Sequence, residues 1–210
     1  TLAFYHELLG LPLVKKTVNF DDPSSYHLYF GQQGGAGEPG TIVTFFEWPH
    51  AGRGRAGTGG VHHLAFGTAT RETQLMWKRW LTDRGVAVAG PLNRGYFTSL
   101  YFKDPDGQVL EIATAGPGYA TDEAIDQLGL GIMTQPDAQL PGYRDEAAIR
   151  ALTHPAPIAA ITPDMTLQGI HHISGMTDDI GRAHEFYEAA LGLTIIKKTI
   201  NQDEIGRAHV

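Results

Sequence analysis

The chain has 210 residues, a formal net charge of −7 from 16 Lys and Arg against 23 Asp and Glu, and no cysteine. That balance gives no basic footprint for nucleic acid or an anionic membrane, and the missing thiols exclude disulfides, thiolate metal sites and cysteine nucleophiles, leaving any metal to histidine and carboxylate. No apolar run approaches the ~20 residues of a membrane span, so a small-molecule partner and a cytoplasmic location are expected.

Twenty-six glycines and 12 prolines punctuate short elements. In chain order the pattern predicts a helix near Leu2 to Leu9 and strands near Leu11 to Phe20, Tyr26 to Phe30 and Thr41 to Trp48. The glycine-rich GQQGGAGEPG joins the last two as a hairpin connection. It lacks the strand-to-helix setting of a phosphate-binding loop. A strand over Val61 to Gly67 then leads into a helix capped by Thr70, with Leu75, Trp77, Trp80 and Leu81 mostly along one face. Strands follow at Val86 to Val88, Tyr96 to Phe102 and Gln108 to Thr114. KDPDG from Lys103 to Gly107 reads as a hairpin turn, since Pro105 presets φ and Gly107 accepts a positive one. The proline-rich stretch to Pro163 holds two short predicted helices, Asp122 to Leu128 and Arg144 to Leu152. A new strand starts at Leu167.

The chain also repeats itself. Phe4 to Asp22 matches Phe186 to Glu204 at a constant offset of 182, with ten of nineteen positions identical. The expected class is α+β, with paired βαβββ modules forming a curved mixed sheet around a metal cavity. Residues 1–58 form a first module lacking its opening strand, 59–120 a middle module, 121–165 a proline-rich connection, and 166–204 the start of a module repeating the first. Thr1 is not expected to be the natural start. The final six residues, 205–210, break the repeat and read as a non-native tail resembling translated adapter, although IGRAH also occurs at Ile180 to His184.

Two histidine pairs, His62-His63 and His171-His172, each open a strand. Neighbours on a strand face opposite sides, so only one of each pair is expected in a given cavity. His63 travels with Ala65 and Gly67, whereas His62 shares its face with bulky Leu64 and Phe66. The same alternation sets Glu111 and Ala113 apart from Leu110 and Ile112, and His172 and Ser174 apart from Ile173. Three strands thus each present one ligand-type residue beside small neighbours. Two neutral imidazoles and one carboxylate make the facial set that suits Fe(II) and leaves positions open for substrate and dioxygen. Singly, such residues are more often satisfied core or edge groups. Glu47 is a weaker substitute for Glu111, and His6, His27, His50, His154, His184 and His209 show no matching pattern.

Taken together, VHHLAF, YFTSLYFKDPDG.VLEIAT.GPG, LGL.LVKKTVNFDDP..YHLYFG and PGTIVTFF resemble the hydroquinone- and catechol-type ring-cleaving dioxygenases of the vicinal-oxygen-chelate superfamily. The resemblance covers nearly all of Leu2 to Thr114 and Gly169 to Glu204. It implies an extradiol-type enzyme holding Fe(II), with Mn(II) or Zn(II) as alternatives, on His63, Glu111 and His172. It further implies catalytic or substrate-contacting roles for His62, Arg94, Tyr101 and Ser174, with a small aromatic substrate and O2 as partners. Homo-oligomerisation stays open. Module order departs from the family's usual arrangement, so a histidine upstream of Thr1 competes with His172 for the third place, in which case the fragment would be inactive alone. The rival readings are a glyoxalase-like lyase or isomerase using Zn(II) or Ni(II), and a metal-free protein that binds an aromatic drug or toxin.

Overall fold

A computed structural model describes residues 1–32 and 35–200. Gln33 and Gly34 of the glycine-rich loop, the last four positions of the repeat and the suspected tail lie outside the described residues. The first module begins with a single π-helical turn, Ala3–Leu8, whose Tyr5 is buried together with Leu9 and Leu11. Gly10 ends that turn at φ +69°, a conformation that costs glycine little and side-chain-bearing residues more. Three antiparallel strands follow, β1 (Leu13–Val18), β2 (Tyr26–Phe30) and β3 (Val43–Phe46).

The middle module supplies β4 (Val61–Thr68), the helix α1 (Arg71–Asp83), β5 (Ala89–Asn93), β6 (Thr98–Lys103) and β7 (Val109–Thr114). α1 starts where the sequence places it. Thr70 Oγ1 accepts from Thr73 N and Thr73 Oγ1 accepts from Thr70 N, each at 3.1 Å, so two orphan amides of the first turn are satisfied. Its apolar side lies on the sheet with Trp77, Trp80 and Leu81 buried, while Leu75 is only half-buried. Both indoles reach backbone acceptors, Trp77 Nε1 donating to Met165 O at 2.7 Å and Trp80 Nε1 to Leu8 O at 2.8 Å. Gln74, fully buried, donates to Thr98 O and Ile112 O and so ties the helix to two strands.

The connection holds β8 (Ile132–Met133) and α2 (Glu146–Ala151), and beyond it come β9 (Ile170–Gly175), α3 (Ile180–Glu185) and β10 (Lys198–Thr199). The main sheet is mixed, in the order β5-β6-β7-β4-β9. β4 runs parallel to β7 and antiparallel to β9, while β10 pairs in parallel with β8. The opening strand of the last module thus docks on the middle module. At its other side Ile170 N donates to Gly40 O at 2.9 Å, touching the first module. Among the described residues no helix is long and apolar enough to cross a membrane.

Several element expectations shift. The strand expected at Val86 to Val88 forms at Ala89–Asn93 instead, because Val86 and Val88 pack against the core while the next residues pair with β6. Pro91 is tolerated there because β5 is an edge strand. The helix expected over Asp122 to Leu128 is reduced to single 3-10 turns, Tyr119–Thr121 and Ile125–Gln127, since the segment has little apolar face to bury. The second short helix forms as α2, capped by Asp145, whose carboxylate accepts from Ala148 N. The hairpin at KDPDG forms as expected, with Gly107 at φ +95° and Asp104 Oδ1 accepting from Asp106 N and Gln108 N.

Candidate metal centre

The register of the main sheet determines which side chains meet. Tyr101 on β6 lies opposite Glu111 on β7, Glu111 opposite Ala65 on β4, and Ala65 opposite His172 on β9, a single row across four strands. The flanking rows on the other face carry Phe102, Leu110 and Leu64, and Leu100, Ile112 and Phe66, which join the hydrophobic core with the buried side of α1. On the near face Ala65 offers only a methyl group. Glu111 and His172 therefore lean over it from both sides and reach His63, which precedes Ala65 by two residues on the same face.

There three donor atoms converge. His63 Nε2 lies 3.0 Å from Glu111 Oε2 and 3.0 Å from His172 Nε2, and His172 Nε2 lies 3.4 Å from the same carboxylate oxygen. These residues are the one group of three or more metal-ligating side chains with mutually close donor atoms among the described residues. Glu111 is fully buried. Its Oε1 accepts from Ser99 Oγ at 2.6 Å, whereas Oε2 has no hydrogen-bond partner of correct geometry among the described residues. Burial alone would raise the Glu111 carboxyl, but the His172 and His63 imidazoles and the Ser99 hydroxyl outweigh it and hold the group below the usual carboxylate range. A buried anionic oxygen facing two imidazole nitrogens, with its remaining lone pairs unengaged, fits a divalent cation with nitrogen and oxygen ligands.

A cavity of about 470 Å³ opens beside these donors, and His62, His63, Arg94, Tyr101, His172 and Ser174 all line it. Ser174 Oγ lies 3.1 Å from His63 Nε2. Arg94 Nε donates to Tyr101 Oη at 3.2 Å, and the Tyr101 ring stands edge-on to His63 with centroids 5.7 Å apart. Burial and the Glu111 carboxylate push the Tyr101 phenol up to about 12, against the opposing charge of Arg94.

One expectation fails at His62, which lines the cavity alongside His63 instead of facing only the helix side. Against β9, Val61 pairs with Gly175 and His63 with Ser174, so β4 carries one extra residue there, and that bulge re-aims His62. Glu47 lies on the exposed surface after β3 and takes no part in the converging group. The sequence reading missed Tyr96, Phe97, Tyr119, Met133 and Lys197, which are among the other wall residues. Lys197 carried a signal, since it repeats Lys15 in the KKT motif. In the structure it pairs with Asp122 and Glu123, which carries the last module's second strand to the rim.

A family model described as the Glyoxalase/Bleomycin resistance protein/Dioxygenase superfamily matches residues 1–112. "Putative ring-cleaving dioxygenase MhqO" of Bacillus subtilis (strain 168) is 33% identical over 183 residues, covering 87% of this chain and 52% of that protein. "Putative ring-cleaving dioxygenase MhqE" from the same organism is 37% identical over 161 residues, covering 72% and 50%. The chain thus spans about half the length of these curated relatives. A shorter match, 38% identical over 100 residues, covers 47% of this chain and 30% of the chlorohydroquinone/hydroquinone 1,2-dioxygenase of Sphingobium indicum. Among solved structures, a "putative dioxygenase" from Bacillus subtilis subsp. subtilis str. 168 superposes with a TM-score of 0.63 at 29% identity, covering 91% of this chain and 50% of that one.

Proposed function

Because the chain belongs to the Glyoxalase/Bleomycin resistance protein/Dioxygenase superfamily, we propose that it holds Fe(II) on His63, Glu111 and His172 and takes part in oxidative cleavage of a dihydroxylated aromatic ring. The observation that carries this reading is the convergence of two imidazole nitrogens on a buried carboxylate oxygen that has no hydrogen bond of its own. Two histidines and one carboxylate are the donor set of non-haem iron oxygenases, and they leave coordination positions for substrate and dioxygen. Bound there, Fe(II) supplies the redox chemistry that organic side chains lack.

The chain's own residues supply orientation and proton handling. Tyr96, Phe97 and Tyr119 give the cavity aromatic walls against which a flat ring can lie. Arg94 and Tyr101 form a hydrogen-bonded pair on the β6 side, placed to steady a phenolate oxygen of the substrate. A phenol with its pKa near 12 stays protonated at neutral pH and so acts as a donor. His62, at the cavity wall and bonded through Nδ1 to His63 Nδ1, is placed to relay a proton. The name of one relative, the chlorohydroquinone/hydroquinone 1,2-dioxygenase, favours a hydroquinone-type substrate.

A glyoxalase-type site adds a second carboxylate, and the converging group here has one. The test is anaerobic loading with Fe(II), metal analysis, and oxygen uptake with hydroquinone and catechol. Roughly one iron per chain, with uptake abolished in Glu111→Ala, supports the reading. Tight binding of the aromatics without metal would replace it with a sequestering function.

A further inference from the structure

Sequence neighbours on a strand normally project to opposite faces, yet both histidine pairs of this protein are bonded ring to ring. His62 Nδ1 lies 2.8 Å from His63 Nδ1, and His171 Nδ1 lies 2.7 Å from His172 Nδ1. The register between β4 and β9 explains how. Between Val61 and His63 the extra residue is His62, on β4. Between Ala65 and Phe66, whose partners are His172 and Ile170, the extra residue is His171, on β9. Each pair therefore straddles a β-bulge, and the bulges occur on two different strands at the same centre.

Resting on the metal reading above, we infer that His171 is a positioning residue, the counterpart on β9 of His62 on β4, which sets the tautomer and ring angle of His172. An Nδ1···Nδ1 bond needs one donor and one acceptor. His172 turns Nε2 toward Glu111 and His63, and an Nε2 lone pair there requires the ring proton to sit on Nδ1. His172 Nδ1–H thus donates and His171 Nδ1 accepts, which places the His171 proton on its own Nε2. Phe97 holds the accepting ring from the cavity side, edge-on with centroids 5.0 Å apart. His171 is only partly exposed and does not line the cavity, so it acts through His172 and not on a substrate.

The test compares His171→Phe, which keeps a ring of similar shape without the acceptor, with His171→Asn, whose side-chain oxygen can accept from His172 Nδ1. Co(II) is titrated into each purified full chain and read by its visible spectrum, with thermal melts as a folding control. The Phe variant is expected to bind Co(II) roughly 10–100-fold more weakly with an altered spectrum, and the Asn variant to recover most of the loss. Equal affinities for wild type and the Phe variant, or an Asn variant as weak as Phe, would overturn the inference. A second arm reads long-range 1H–15N correlations of the wild type loaded with diamagnetic Zn(II), where the His172 Nε2 lone pair is engaged by the metal. A proton on His172 Nδ1 and on His171 Nε2 supports the assignment, and the reverse pattern overturns it. Wild type that binds neither Co(II) nor Zn(II) would sink the metal reading and this inference with it, whereas wild type that binds metal but shows the reverse tautomers would sink the inference alone.

Discussion

Replacing Ser99 with alanine removes the single hydroxyl that engages Glu111 Oε1, at 2.6 Å in a place where both residues are fully buried. A hydrogen bond to a charged group contributes about 1.5–3 kcal/mol, and the loss falls on a carboxylate whose other oxygen already lacks a hydrogen bond. For a chain of this size that corresponds to a fall in Tm of roughly 3–12 °C. The same bond contributes to the pH dependence, after the larger pulls of the His172 and His63 imidazoles. Glu111 titrates below its ordinary value of 4.5 in the folded state, so its contribution is present above that pH and is lost as pH falls toward the lower folded value. Without the Ser99 hydroxyl the folded value rises toward 4.5, and the advantage of wild type over the variant narrows on acidification. Urea unfolding of the chelator-treated proteins, repeated from neutral pH down the acid limb, measures both effects. A neutral-pH difference below about 0.5 kcal/mol, or one that stays constant into acid, would show that the hydroxyl does not support the carboxylate as described.

Trp77→Ala should cost about 3–5 kcal/mol in urea unfolding, because it empties a fully buried indole site and leaves Met165 O without its donor. Arg94→Ala should raise the Tyr101 phenol above its value of about 12, seen as a later tyrosinate transition in an ultraviolet titration. The same variant should lower kcat/KM for a ring substrate by roughly 10²-fold. Lys197→Ala removes the pairs to Asp122 and Glu123 and should speed amide hydrogen exchange across the β8–β10 ladder, with little change in global unfolding. Unchanged exchange there would show that the pairs do not hold the strand.

Alternation along β4, β7 and β9 was legible because it depends on local composition. Ala65 and Gly67 mark the roomy face and Leu64 and Phe66 the packed one, and the structure puts His63, Glu111 and His172 on the roomy face. Thr70 was readable as a cap because capping is decided within four residues. The two bulges were not readable, since an extra residue is defined only against a partner strand, and β9 comes from more than a hundred residues downstream. The shift of β5 past Val86 and Val88 has a similar origin. Their apolar side chains satisfy the core without a ladder, and edge position rather than composition admits Pro91. Phe97 and Tyr119 were hidden as wall residues because aromatic side chains in a bend before β6 and in a single 3-10 turn carry no mark of which cavity they will face.

The row Tyr101, Glu111, Ala65, His172 draws on four strands, and His63 stands on the strand between the other two donors. A slip of one residue by β9 or β7 against β4 would send its donor to the opposite side of the sheet, because side chains alternate with period two. The converging group therefore works as a gauge of alignment that only one arrangement of the three strands satisfies. A cation that binds this arrangement and no slipped one would favour it in proportion to concentration over dissociation constant, making metal supply a proofreader of strand pairing.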